Sequence, residues 1–378
     1  MYHVKTMNKI SKIGLAELDD RFEISDTMEH EDAILVRSAK LHDYDFPAEL
    51  LCIARAGAGV NNIPLDRAAE AGIVVFNTPG ANANGVKELT IAALLLASRK
   101  ISQGITWVKE QAAAGADVAA VVEKGKAAYV GPEIQGKTLG VVGLGAIGVL
   151  VANAAAALGM QIVGYDPFLS VQHALNLTPG VKVVSTLEEL YGQADYISLH
   201  LPMTPETKGT LNDAAFAAMK DGVRIVNLAR GELVDTEALK AALASGKCAA
   251  YVTDFPNNKI LQGKNVIAIP HLGASTPESE DNCAMMAARQ VRDYLDNGNI
   301  VNSVNLPVLS MAWAAKNRVC VLTKGADAAA IAAAVPAVAS ASKTRGEYGY
   351  FLLDTDAQVD TAAIAALPGV LRVRVLHQ

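Results

Sequence analysis

Residues 138–166, TLGVVGLGAIGVLVANAAAALGMQIVGYD, decide how this chain folds. The apolar run TLGVV reads as a buried strand, and Gly143-Leu-Gly145-Ala146-Ile147-Gly148 follows it directly. An alanine-rich segment suited to a helix comes next, and a second apolar strand ends on Asp166. Each glycine has a physical task in such a strand–turn–helix unit. Gly143 allows the tight turn, Gly145 lets backbone approach a pyrophosphate, and Gly148 lets the helix pack closely on the strand. The helix N-terminus, at Ala146 and Ile147, then faces phosphate with free amides and the positive end of its dipole. A carboxylate at Asp166 would accept ribose hydroxyls and repel a 2′-phosphate, and no arginine follows it to compensate. The expected cofactor is therefore NAD.

The same rhythm continues outward. VKVV, YISLHLP, RIVNLAR, AAYVTD and NVIAIPH bring the apolar runs to seven, separated by helix-compatible segments, as a doubly wound parallel sheet requires. Upstream, the runs at 33–36, 50–54 and 73–76 give residues 1–83 the character of another α/β unit. Residues 86–100 and 108–126 read as helical, and 277–298 as one long helix. Residues 302–315 read as a linker, with Pro307 as its strongest breaker. The tail changes character: strand, helix, strand, strand, helix, strand, which is a ferredoxin-like βαββαβ unit and a separate small domain.

Composition narrows the function classes. At 378 residues, 51% of them hydrophobic, the chain can fill two or three cores. A formal charge of −6 with interspersed signs gives no footprint for nucleic acid. No uncharged apolar run reaches the ~18 residues of a membrane span. Cys52, Cys248, Cys283 and Cys320 are scattered without metal or disulfide spacing, and the histidines form no metal motif. The expected setting is the cytoplasm, with no metal.

Oxidising a hydroxy acid requires a cation for the carboxylate and a titratable group for the hydroxyl proton. Arginine suits the first task by its planar fork, histidine the second by its pKa near neutrality. Arg230 ends the run RIVNLAR and His271 ends NVIAIPH, at the strand ends where such sheets bind ligands. Periodicity alone does not separate His271 from His200, which ends YISLH.

NLARGELVDTEAL, YVTDF, IPHLGAST, SLHLPMTPETKG and GLGAIG occur in the order and spacing of the D-2-hydroxyacid dehydrogenase family, and the chain resembles it over about residues 34–307. The resemblance implies a doubly wound Rossmann nucleotide domain (84–275) inserted in a flavodoxin-like substrate domain (1–83 and 276–308), with the active site in the cleft between them. It puts the catalytic pair on Arg230 and His271, and cofactor contacts on His200, Pro202, Ala229, Asp254 and Gly273. One departure stands out: the glutamate that holds the family's histidine, about 29 residues after the arginine, is replaced by Lys259. Another group orients His271, or its pKa is not raised, or Lys259 helps bind an anionic substrate.

Similar pairs to Arg37-Ser38 bind substrate in members acting on 3-phospho-D-glycerate. Gly57-Ala58-Gly59 resembles the loop whose amides hold the carboxylate, and Asn82 aligns with a substrate-contacting asparagine. The tail, 316–378, resembles the ACT-type regulatory domain of those members, which binds an amino-acid effector. The family's proline is missing from VCVLTKGADAAAIA, which argues against serine as that effector. The expected function is NAD-dependent oxidation of 3-phospho-D-glycerate by a homodimer or homotetramer. Another D-2-hydroxy acid, or a non-catalytic NAD sensor, are the alternatives.

Overall fold

The computed structural model describes residues 1–378 and divides into two compact units, Met1–Asn82 with Pro277–Gln378, and Ala83–Thr276. In the first unit, strands β1 (Tyr2–Met7), β2 (Phe22–Ser25), β3 (Ala33–Val36), β4 (Cys52–Arg55) and β5 (Val74–Phe76) form a parallel sheet in the order β2-β1-β3-β4-β5. That is the flavodoxin-like order. β3 (AILV) is buried along its whole length, as a strand covered on both faces must be.

Helix Pro277–Asn297 covers one face of this sheet. Glu278 and Glu280 in its first turn complement the helix dipole, and Gly298 (φ 70°) terminates it. Cys283, Ala284, Ala287, Ala288, Val291, Tyr294 and Leu295 line its buried stripe. Gly14, on the short helix Lys12–Leu15, sits where any Cβ would lie 2.3 Å from that of Ala284, so the two helices touch backbone to backbone.

In the second unit, β6 (Thr138–Val142), β7 (Gln161–Tyr165), β8 (Lys182–Val183), β9 (Tyr196–Leu199), β10 (Val223–Asn227), β11 (Cys248–Thr253) and β12 (Val266–Ala268) form one parallel sheet. Its order, β12-β11-β10-β9-β6-β7-β8, reverses direction between β6 and β9. All seven apolar runs are strands of this Rossmann sheet. Helices Ala83–Ser98 and Ala146–Ala157 pack on it. The helical reading of 108–126 is broken in two, Ile101–Ala113 and Val118–Gly125, because Gly115 turns left-handed (φ 76°) and Asp117 caps a new start. Neither helix buries a residue.

The tail folds as β13 (Asn317–Lys324), helix Ala328–Ala333, β14 (Ala339–Arg345), β15 (Tyr348–Thr355), helix Thr361–Ala365 and β16 (Val370–His377). Its antiparallel sheet has the order β14-β15-β13-β16. It is not a separate body. Val319, Val321, Phe351 and Leu353 face its own helices. The alternate residues Cys320, Leu322, Tyr350, Leu352 and Leu376 join the core of the first sheet and helix Pro277–Asn297.

The stretch read as a linker is part of that weld. Asn305 bonds Val75 N and Ile73 O (both 2.9 Å), so its amide stands in for a neighbouring strand at β5. Arg318, fully buried, satisfies all five donors: Asp354 twice (2.7 and 2.9 Å) and the carbonyls of Asn297, Met311 and Ala312.

Candidate functional site

Because every strand of the Rossmann sheet is parallel, all C-terminal strand ends share one edge. Gly143 follows β6, His200 follows β9, Arg230 lies three residues past β10, Asp254 follows β11, and His271 lies three past β12. The glycines behave as their spacing demands. Gly143 has φ 94° and lies against the His200 carbonyl. A Cβ on Gly148 would lie 1.9 Å from the Gly143 oxygen, whereas one on Gly145 would meet open space. Gly145 therefore leaves a free cradle before the first turn of helix Ala146–Ala157.

Asp166 accepts from Leu144 N (2.9 Å) and Phe168 N (2.8 Å), so its carboxylate braces the glycine turn. Each oxygen keeps a lone pair for a hydroxyl donor. His200 is a different group from His271. Its Nε2 lies 2.9 Å from Ser198 Oγ, and burial pushes its pKa down to about 4, leaving it neutral near pH 7. His271 is exposed at its strand end.

Phe255 joins the candidate catalytic pair. Its ring lies 4.5 Å from that of His271 and 5.5 Å from the Arg230 guanidinium carbon, centroid to centroid and centroid to atom. Arg230 Nη1 also donates to the Ala229 carbonyl (2.6 Å). Beneath them, buried Asn227 accepts from Ala229 N and donates to Arg230 O and to Tyr251 Oη, which fixes the loop after β10. Sequence reasoning missed Phe255 and Asn227. Phe255 follows Asp254 in TDFP, a signal of position only.

Asp254 is buried and neither carboxylate oxygen has a hydrogen-bond partner. Burial raises its pKa, and His271 and Arg230 partly offset the rise. Two orphan buried acceptors on the same sheet edge as an open glycine cradle, three strands away from it, fit an extended ligand bearing N–H or O–H donors, as a dinucleotide does. Gly273 sits against Asp254, since a Cβ there would lie 3.6 Å from Oδ2. Pro202 is exposed in the loop after His200. Lys259, in place of the family's glutamate, has its ammonium 3.7 Å from Glu237, and both side chains are exposed.

Residues 91–273 match the NAD-binding domain of the D-isomer-specific 2-hydroxyacid dehydrogenases. This unit belongs to that family. The D-3-phosphoglycerate dehydrogenase of Bacillus subtilis is 36% identical over 329 residues, covering 82% of this chain and 60% of the relative. That of Archaeoglobus fulgidus is 40% identical over 286 residues, covering 73% and 52%. The chain thus spans only half to three-fifths of these curated relatives. The NAD+-bound 3-phosphoglycerate dehydrogenase of Entamoeba histolytica has a similar structure, with a TM-score of 0.62 at 28% identity, covering 82% of this chain and 99% of that one.

In the first unit, Arg37 follows β3 and Arg55 ends the neighbouring β4, so the two cations stand side by side at that sheet's C-terminal edge. Arg55 Nε donates to the Arg37 carbonyl (3.1 Å). The Arg55 guanidinium folds over Gly57, where φ is 149° and any Cβ would lie 1.9 Å from Nη1. In the glycine loop, Gly57 N donates to Arg55 O (2.9 Å), and Ala58 O accepts from the Asn77 amide (2.7 Å). Gly59 and Asn82 are half-buried in the same unit. Asn8, which sequence reasoning also missed, accepts from both Ser38 N (2.9 Å) and Ala39 N (2.6 Å). The amides beside Arg37 are therefore engaged within the chain, and an anion there must be held by side chains.

Proposed function

We propose that this chain oxidises 3-phospho-D-glycerate to 3-phosphohydroxypyruvate with NAD, the first step of L-serine biosynthesis. The observation that carries the reading is a basic recess on the first unit, with Arg37 and Arg55 on adjacent strand ends, in a chain whose curated relatives are D-3-phosphoglycerate dehydrogenases. NAD supplies the hydride acceptor when bound. The Gly143–Gly148 turn with Ala146 and Ile147 would hold its pyrophosphate, and Asp166 its ribose hydroxyls. Asp254, with His200, Pro202, Ala229 and Gly273, would line its nicotinamide end.

The chain's own residues carry the rest. His271 takes the hydroxyl proton, which its exposed imidazole can reach. Arg230 holds the carboxylate and stabilises charge growing on the carbonyl oxygen, its fork fixed by Asn227 through the backbone. Gly57, Ala58 and Gly59 border the carboxylate, while Arg37, Ser38 and Asn82 hold the phosphoryl end. His200 serves as a neutral hydrogen-bonding group. The Lys259–Glu237 pair favours a surface role for Lys259 over substrate binding.

The reading includes a substrate domain of residues 1–83 with 276–308, a nucleotide domain of 84–275 and an ACT-type domain of 316–378. The compact-unit borders at 82/83 and 276/277 support the first two ranges, and the βαββαβ order supports the third, as a sheet packed on the first unit rather than a separate body. An amino-acid effector at the tail follows from the resemblance. A homodimer or homotetramer is supported by the helices 101–125, which carry exposed Ile101 and Ile105 and bury nothing within the chain. The reading also includes a cytoplasmic setting, in which the four free buried thiols stay reduced.

Steady-state NADH formation with 3-phosphoglycerate, D-glycerate and D-lactate tests the substrate. The expected result is the highest kcat/KM for the phosphorylated acid. A preference for an unphosphorylated acid would support a second reading, a dehydrogenase of another D-2-hydroxy acid, which the ion pair between Arg37 and Glu280 favours.

A further inference from the structure

The recess on the first unit has a volume of about 610 Å³ and is lined by Arg37, Lys40, His42, Arg55, Asn61 and Asn62, among others. Every side chain in that set is cationic, protonatable or an amide donor, which suits a multiply charged oxyanion. Yet Arg37 is not waiting for a ligand. Its Nη2 lies 2.6 Å from Glu280 Oε1, a charge-assisted contact between the end of β3 and the first turn of helix Pro277–Asn297. Asn8 occupies the two amides that follow Arg37, so this guanidinium is the principal donor the turn can offer.

We propose that Glu280 is a built-in competitor for the anion at Arg37, and thereby a specificity-determining residue of this subsite. The inference rests on the substrate reading above for its natural ligand, a phosphoryl dianion. To bind at Arg37, the dianion displaces the Glu280 carboxylate, and the freed glutamate swings into solvent. Both side chains are a little over two-fifths exposed, so the pair itself is weak and the swing is inexpensive. Two negative charges, drawn also by Lys40 and Arg55, win that exchange, whereas a neutral hydroxymethyl end does not and leaves the pair closed. Glu280 thus sets phosphoryl affinity below what the recess would otherwise give and keeps simple anions loosely held. Like-charge repulsion from a carboxylate that stayed in place would cost more than the pair is worth.

The test uses the full chain at low ionic strength with inorganic phosphate as the probe, titrated calorimetrically into wild type, Glu280→Gln, Glu280→Ala and the double variant Glu280→Gln/Arg37→Ala. KM and kcat for 3-phosphoglycerate are measured alongside. Expected is phosphate binding tightened roughly two- to fivefold in both single variants, with that gain absent when Arg37 is also removed. KM for 3-phosphoglycerate falls by a similar factor while kcat holds, a split that a merely structural role for Glu280 would not produce. Unchanged or weaker phosphate binding in folded Glu280→Gln and Glu280→Ala overturns the proposal, whatever the turnover. Tightened phosphate binding with no wild-type turnover of 3-phosphoglycerate upholds the competitor and overturns the substrate reading instead.

Discussion

His200 and His271 end strands of the same sheet, and their sequence surroundings do not tell them apart. Burial does. His200 has a folded-state pKa of about 4 against an ordinary 6.5. The unfolded chain therefore takes up a proton first as pH falls, and stability is lost between those two values, by at most about 1.4 kcal/mol per pH unit. His200→Asn is expected to flatten the fall in melting temperature between pH 6.5 and 4, measured by thermal unfolding. Asp254 works with the opposite sign. Its raised pKa means that the ligand-free folded state loses stability as pH climbs through that value. Asp254→Asn should stabilise the ligand-free protein at neutral pH by about 1 kcal/mol, with the gain shrinking toward pH 3.8, and should weaken NAD binding. A variant less stable than wild type at pH 7 would show that the orphan carboxylate is satisfied by some other group. Arg230, His271 and Asp254 could be placed from motif and strand end. Asn8 and Glu280 could not, since their partner loop lies 30 and more than 240 residues away in sequence and no local pattern encodes such a contact.

At the level of elements, the glycine-rich turn was fully legible because each glycine answers a different steric demand. Two substitutions separate those demands. Gly148→Ala drives a methyl into the Gly143 oxygen and should cost roughly 1–3 kcal/mol of stability. Gly145→Ala meets open space at φ −78°, so it should change stability by less than about 0.5 kcal/mol while sharply weakening NAD binding. Denaturant unfolding and NAD titration of the pair check both; equal stability losses would contradict the assignment. β1 (YHVKTM) and β2 (FEIS) escaped the sequence reading for a physical reason. They mix polar with apolar residues and bury little, so they lack the continuous apolar run that marked β3 to β5. The break at Gly115 was hidden in an alanine-rich stretch whose composition favours helix throughout.

For the whole molecule, the order of strands and helices revealed two α/β units and a βαββαβ tail, but not that the tail shares a core with the first unit. Antiparallel alternation in β13 and β15 leaves both faces apolar, and only the docked partner explains the second face. Arg318 is the polar centre of that weld. Arg318→Met leaves Asp354 buried without its cation and should destabilise the first unit by about 3–5 kcal/mol; a loss under 1 kcal/mol by calorimetry would mean that the tail is only loosely docked. The same fusion ties the tail's sheet to the sheet that carries Arg37 through a common core. In the proposed function, NAD, Arg230 and His271 act together on a phosphorylated D-2-hydroxy acid. It is tested most directly by single-turnover NADH formation from 3-phosphoglycerate, comparing wild type with His271→Ala at matched NAD saturation. Expected are rapid NADH formation in wild type and a rate reduced by roughly 10²–10⁴-fold in the variant, with NAD affinity retained. Equal rates in the two proteins, or none in wild type despite bound NAD, would contradict it.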